Sequence, residues 1–306
     1  MRRWWTATRY RLGADLDHIA VAAERQADLW PRYGGDLGGV WVGGDRTIGF
    51  ASAQVRFTGA GRSGEGARLG TKLEVLEPNE VDGNDFLRRF LDRSGPGPHH
   101  LTFKVRDIRL AIAIARRRGL SPVGIDLSDP DWMEAFLHPK EACGIVVQLA
   151  QSRAEWQPGP SPLPAPRVAR PAVLARVDLL VAELGVATAL FQSMLGGHAS
   201  SSTLSTSTGG GPRGSPGGHT DVSWPGGGRI RLAQPGLGSE AAEWLGDRPG
   251  RVDSLFFRVE DPGRVPDAMA LGDGRFEVPP GANHGVRLML VPPHRRGRAG
   301  SDGSSD

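Results

Sequence analysis

Polar and apolar residues alternate along most of this chain, and stretches at helical spacing are short. Leu16-Asp17-His18-Ile19-Ala20-Val21 alternates with the period of a half-buried strand. Gln26 to Tyr33 predicts a short helix, with Gly34-Gly35 near its stop. Val40 to Val42, Ala53 to Phe57 and Thr71 to Leu76 predict three strands, with a hairpin turn at Gly43-Gly44 and Pro78 ending the last strand. Asn84 is expected to cap a helix over Asp85 to Arg93, stopped by Gly95 and Pro96. The pattern then restarts: a strand over His99 to Val105, a helix over Ile108 to Arg118 with Gly119 just past its end, and strands over Val123 to Leu127, Met133 to Leu137 and Ile145 to Leu149. The order is βαβββ followed by βαβββ, an internal repeat.

Two compositional breaks follow. Gln157 to Pro171 alternates proline with small residues and predicts a semi-rigid linker; Ser200 to Gly218 is of low complexity and predicts a mobile loop. Between and beyond them the first half returns in worn form. Val177 to Val181 with a helix over Val186 to Met194 echoes residues 16 to 35. Arg229 to Pro235 echoes Lys72 to Pro78, Ser254 to Val259 echoes His100 to Val105, and Gly285 to Leu290 echoes Gly144 to Leu149. Val265 to Pro280 leaves room for a helix and one strand only. The expected organisation is a flexible N-terminus over 1–14, a first domain over 15–152, a Pro-rich linker over 153–172, a degenerate second domain over 173–293 and a disordered tail over 294–306.

Composition narrows the function classes. The chain has 306 residues, 39% of them apolar and 23% charged, as in globular proteins, and no apolar run approaches the length that spans a bilayer. The N-terminus lacks the apolar stretch of a secretory signal. The single cysteine, Cys143, excludes an internal disulfide and a cysteine-based zinc cluster, and fits a reducing cytoplasm. The net charge is +3, carried by 34 arginines and only three lysines, Lys72, Lys104 and Lys140. No dense basic stripe suggests a nucleic acid as partner. Cys143, with no base in view, reads as an inert thiol, and Gly209 to Gly214 follows no strand and is not a phosphate cradle.

Alternation also places candidate chemistry. In the first strand Asp17, Ile19 and Val21 share one face, and Leu16, His18 and Ala20 the other. Glu74 lies opposite Leu73 and Val75, His100 opposite Leu101 and Phe103, and Gln148 opposite Val147 and Leu149. Each repeat thus has an apolar face for its helix, and two strands of each carry one metal-capable side chain on the other face. His18, Glu74, His100 and Gln148 supply two imidazoles, a carboxylate and an amide oxygen, a donor set for one divalent ion with positions left for substrate or water.

With these residues in place, the chain resembles the vicinal oxygen chelate superfamily, and most of all methylmalonyl-CoA epimerase and glyoxalase-like proteins. The resembling stretches are LDHIAVA (16–22), GTKLEVLEP (70–78), NDFLRRFLDRSGPGPHHLTFKVRDI (84–108) and EAFLHPKEACGIVVQLAQ (134–151). The resemblance implies an α+β fold in which paired βαβββ modules form open, cup-shaped mixed sheets, here two such domains in tandem. It implies a metal on His18, Glu74, His100 and Gln148, with zinc, cobalt, manganese, nickel and iron not distinguished. The family's last ligand, usually glutamate, is Gln148 here, and the single carboxylate stands at Glu74. The glutamate that epimerase-like members carry before the third strand is absent; Asp45 is the nearest carboxylate.

The activity implied is that of a metal-dependent isomerase, epimerase or lyase. Its substrate would be small and chelated through two neighbouring oxygens, an acyl-CoA such as methylmalonyl-CoA among the candidates, and proton transfer would pass through a metal-stabilised enolate. The candidate bases are Glu74 and Glu134. Trp132 and Phe136 read as core or cup lining, and Lys140 as a contact for an anionic substrate or a solvated charge. Two alternatives stay open: a non-catalytic small-molecule-binding or resistance protein of the same fold, and an extradiol-type dioxygenase using His18, His100 and Glu74 on iron. In the second half the positions matching the ligands read as Leu179, Arg231, Ser254 and Met289, which hold no metal; His198, His219 and His284 read as loop histidines. The small-molecule substrate is the only expected partner, with no nucleic acid and no membrane, and the chain is expected as a monomer with an internal pseudo-dimer or as a homodimer.

Overall fold

The computed structural model describes residues 12–57, 71–152, 158–201 and 217–293. Residues 1–11 of the expected flexible start, the tail, most of the low-complexity loop and the first part of the linker lie outside the described residues; the end of that start is not flexible, since Leu12 is buried and its N donates to Met194 O at 2.8 Å.

The first half contains β1 (Asp15–Ala22), β2 (Val40–Thr47), β3 (Gly49–Arg56), β4 (Lys72–Asn79), α1 (Phe86–Ser94), β5 (Gly97–Lys104), α2 (Ile108–Arg117), β6 (Val123–Asp129), β7 (Trp132–Leu137) and β8 (Val146–Ser152). The second contains β9 (Val173–Val181), α3 (Leu184–Thr188), β10 (His198–Ser201), β11 (His219–Ser223), β12 (Arg229–Ala233), α4 (Glu240–Leu245), β13 (Gly250–Arg258), β14 (Met269–Ala270), β15 (Phe276–Val278) and β16 (Leu288–Val291). Each half forms one eight-stranded mixed sheet, in the orders β2-β3-β4-β1-β5-β8-β7-β6 and β10-β11-β12-β9-β13-β16-β15-β14. The two orders are the same, and the architecture is α+β with two tandem modules. Among the described residues no helix is long and apolar enough to cross a membrane.

One face of each sheet is apolar. Ile19, Val21, Leu73, Val75, Leu101, Phe103, Val147 and Leu149 of the first join Val177, Leu179, Ile230, Leu232, Leu255, Phe257 and Leu288 of the second in a single continuous core. Helix α2 adds Ile108, Ala111, Ile112 and Ala115 to it, and Asp107 caps that helix by accepting from Leu110 N at 3.0 Å. Aromatic rings cross between the halves: Phe57 meets Phe257 at 5.0 Å and Phe103 meets Trp224 at 5.1 Å. Helix α1 lies on the opposite face, where Leu87 and Leu91 pack on Ala20, Ala22 and Leu76. The sheet face bearing the candidate ligands is therefore closed at one end by an apolar plug.

Several local features differ from the expected ones. Gly43-Gly44 is not a turn: pairing of β2 with β3 continues to Thr47 opposite Phe50, with an irregularity between Trp41 and Gly43, and the reversal falls at Ile48. Gly49, at φ +99°, permits it. Pro78 lies inside β4 because β1 ends its pairing at Leu76, so Pro78 lacks an N–H where no β1 partner remains. The helix expected over 26–33 is a 3₁₀ turn at Gln26–Asp28 and a π-helical turn at Pro31–Asp36. Gly34 and Gly35 do not stop it. They let the proline-rich segment approach, so that a Cβ on Gly34 would lie 3.0 Å from Leu163 Cβ. That segment is docked: Arg167 N donates to Gly35 O at 2.8 Å and Ala172 N to Leu37 O at 2.8 Å. Likewise α3 is short and runs into a π-helical turn at Ala189–Met194. The stretch 265–280 forms two short strands with no α-helix.

Strand β1 also departs from strict alternation. Its pairing with β5 shifts between Leu16 and His18, a bulge that skips Asp17. Leu16 therefore joins Ile19 and Val21 in the core, and Asp17 turns away from them toward His18 and Lys72.

Candidate metal centre

Strand pairing lays the candidate residues out in two rows. Glu74 on β4 and His100 on β5 each stand opposite Ala20 of β1, whose methyl leaves space between them. In the next row His18 stands between Lys72 and Thr102, and Thr102 is opposite Gln148 of β8. His18, Glu74 and His100 converge: one nitrogen or oxygen from each lies within 4.8 Å of the others, and all three residues are buried. His18 Nε2 is 3.2 Å and His100 Nε2 3.7 Å from Glu74 Oε2. Neither Nε2 has a hydrogen-bond partner although both are buried. Two such nitrogens carry a desolvation cost unless something else bonds them.

The outer atoms of the trio are all held. His18 Nδ1 lies 2.7 Å from Asp17 Oδ2; a carboxylate only accepts, so Nδ1 carries a proton, and Nε2 is the atom left to give a lone pair to a cation once its own proton is displaced. Lys72 Nζ holds Asp17 at 2.8 Å. Burial opposes the Asp17 charge, yet the bond from His18 and the Lys72 ammonium keep its carboxyl well below the usual range. His100 Nδ1 is 2.8 Å from His99 Nδ1, so one of the two donates; with the proton on His100 Nδ1, its Nε2 also presents a lone pair. Glu74 Oε1 accepts from Gln54 Nε2 at 2.9 Å. Orientation of ligands through their far atoms is the usual arrangement around a bound metal.

Electrostatics fit the same use. Burial and the neighbouring His99 push His100 well below the ordinary imidazole value, and burial takes His99 down to about 4. Both rings are neutral at neutral pH. Burial would raise Glu74, but the nearby His18 and His100 rings and the hydrogen bond from Gln54 outweigh it and bring the carboxyl to about 2. Burial disfavours charge on His18, while Glu74 and Asp17 raise its pKa. Two imidazole nitrogens, with His18 giving up its Nε2 proton to the ion, and an ionised carboxylate oxygen make a donor set for a divalent cation.

Gln148 borders the trio without a free oxygen. Its Oε1 accepts from Thr102 Oγ1 at 2.5 Å and its Nε2 donates to Glu134 Oε2 at 2.6 Å. Glu134, half-buried on β7, also accepts from Trp132 Nε1 at 2.8 Å. Trp132 lines this side of the cup, with Lys104 Nζ 3.8 Å from its ring centroid. Asp45 and Lys140 are exposed, and Lys140 stands in the turn before β8. The supporting residues Asp17, His99, Gln54, Lys72 and Lys104 were not among the sequence candidates. The Asp-His and His-His dipeptides were signals for the first two; Gln54 is tied to Glu74 only by the register of β3 on β4.

The second sheet lacks this centre. By register, Leu16 opposite Phe103 corresponds to Leu174 opposite Phe257, and each pair is followed by a skipped residue, Asp17 and Ala175. The counterpart of His18 is thus Arg176. Leu179, the expected match, faces the core, because the bulge offsets the strand. Arg231, Ser254 and Met289 do correspond to Glu74, His100 and Gln148. Arg176 Nε donates to Asp178 Oδ1 at 2.5 Å and Arg231 Nε to Asp221 Oδ1 at 2.7 Å, so ion pairs fill the position of the trio.

No known family profile and no curated protein matches the chain. The solved structures most similar in shape include methylmalonyl-CoA epimerases. The Streptomyces coelicolor epimerase is 23% identical, covering 46% of this chain and 98% of its own, with a TM-score of 0.38. The Mycobacterium tuberculosis epimerase is 20% identical, covering 50% and 97%, with a TM-score of 0.39. A hypothetical protein of Bacillus halodurans is 24% identical, covering 47% and 98%, with a TM-score of 0.39. Likenesses at this level carry no residue roles.

Proposed function

We propose that the first sheet is a metal-dependent active site of vicinal oxygen chelate type, an isomerase, epimerase or lyase acting on a small substrate with two neighbouring oxygens. The observation that carries this reading is the pair of buried, unpartnered Nε2 atoms of His18 and His100 facing Glu74 Oε2. A divalent ion there would supply Lewis-acid polarisation of the substrate oxygens. Gln148 would join only after its amide exchanges Thr102 for the ion.

The chain's own residues account for the rest. Asp17 and His99 hold the two imidazoles by their Nδ1 atoms and aim Nε2 of each at Glu74. Glu74, brought to about 2 and tied to Gln54, is a weak base and serves as ligand. Glu134 is the better candidate to take the substrate proton: it is half-buried on the same face and sits beside Gln148. Lys104 on the same cup suits a substrate carrying negative charge, an acyl-CoA such as methylmalonyl-CoA among them.

The test is elemental analysis of full-length protein purified without chelators or added metal, followed by proton exchange at the α-carbon of methylmalonyl-CoA in D₂O. About one divalent ion per chain with exchange supports the epimerase reading. Metal without exchange, together with oxygen uptake on a catechol, moves the site to the dioxygenase reading, which the two-histidine, one-carboxylate composition also suits. No metal and no exchange would leave a small-molecule binder and overturn the proposal.

A further inference from the structure

The two cups differ completely at the ligand positions but agree at two others. Lys72 of β4 stands opposite His18, and Arg229 of β12 occupies the corresponding place beside Arg176. Lys104 ends β5 opposite Ala150, and Arg258 ends β13 opposite Val291; in both, the next residue, Val105 or Val259, donates to that same partner at 2.8 or 2.9 Å. The second cup has replaced every candidate ligand with a residue of different chemistry, yet both rim cations remain cations.

In the second cup three guanidiniums are paired: Arg176 with Asp178, Arg231 with Asp221, and Arg287 with Asp253 and Glu277. Arg229 and Arg258 have no carboxylate partner among the described residues. Arg258 is half-buried and Arg229 exposed at the rim, and burial, Arg229 and Arg176 in that order act against the charge of Arg258. Arg176 is itself fixed flat, its guanidinium carbon 3.7 Å from the Phe256 ring centroid. The positive field reaches across the cup to His219, which burial and then Arg231 push below its ordinary value. Like charges crowded on a concave, partly desolvated surface are unfavourable in the free protein, and a bound anion relieves them.

We propose that the second cup is a binding site for a small oxyanion, a carboxylate or phosphate group, held between Arg229 and Arg258 with Arg176 as its wall. The planar guanidinium fork suits both groups. The site needs no metal and stands whether or not the first cup is an enzyme.

The experiment is isothermal titration of the full chain, freed of metal with EDTA, with inorganic phosphate in one arm and malonate in the other, against sodium chloride at matched ionic strength. Binding of one equivalent of either is expected, weakened at least about tenfold in Arg229→Gln/Arg258→Gln. It should be retained in Lys104→Gln, which marks the first cup, and partly recovered in Arg229→Lys/Arg258→Lys. Tighter phosphate indicates a phosphate monoester, tighter malonate a carboxylate. The proposal is overturned if wild type binds neither above the chloride control, if the double glutamine variant binds like wild type, or if the loss falls on Lys104→Gln instead. Circular dichroism checks the double variant; should it misfold, Arg258→Gln alone is read by the same criteria.

Discussion

An imidazole nitrogen buried without a hydrogen-bond partner is tolerated where something else bonds it, and the first cup places two beside one carboxylate oxygen. His18→Ala and His100→Ala are each expected to abolish metal content while leaving far-ultraviolet circular dichroism unchanged; Ser254→Ala, at the matching place in the second sheet, should lose none. Lys104 supplies a pH dependence. Burial lowers its pKa from 10.5 to about 8, so the folded state pays a cost below about pH 8 that is relieved as pH rises toward 10.5. Lys104→Met should therefore raise the melting temperature at pH 7, with a gain that shrinks between pH 8 and 10.5; a gain independent of pH would contradict this. The Cys143 thiol, pushed up to about 12 by burial and by Glu183, should resist a thiol reagent in native protein and react on unfolding. At this scale much was legible: a period of two put His18, Glu74 and His100 on one face. Arg176 was not, because a skipped residue leaves no mark on the hydrophobic pattern, and a strand read as regular points to Leu179.

Strands were the most readable elements, since each alternates against a buried face. The π-helical turns at Pro31–Asp36 and Ala189–Met194 were read as ordinary helix because apolar spacing hardly separates the two over six residues. The hairpin was misplaced because Gly43-Gly44 has turn chemistry, while the actual reversal at Ile48 is decided by how far β2 stays paired with β3. Phe103 illustrates what the strands bury: it is fully enclosed, with Phe191 and Trp224 of the second half against its ring. Phe103→Ala should cost about 3–5 kcal/mol in denaturant unfolding. A cost near that of an exposed phenylalanine would mean that the two sheets do not share a core.

For the molecule as a whole, the halves meet through reciprocal contacts. A Cβ on Gly144, before β8, would lie 1.8 Å from Gly250 O at the start of β13, and a Cβ on Gly285, before β16, would lie 1.8 Å from Pro96 O just before β5. Pro96 and Gly250 correspond by register, one residue before Gly97 and Arg251, so these are one contact made twice, the pattern of a two-fold interface. Gly144 and Gly285 also hold φ of +84° and +78°. Gly144→Ala and Gly285→Ala should each destabilise by about 2–4 kcal/mol in denaturant unfolding and by similar amounts, since each removes one of two equivalent contacts. Because a single chain carries both sides of this contact, docking is intramolecular, governed by the effective concentration the 158–172 segment imposes and not by the protein concentration in the tube. The refolding rate should then be the same at nanomolar and micromolar protein. Halves produced as separate polypeptides would become a bimolecular pair whose association, and whose shared core, could be diluted away.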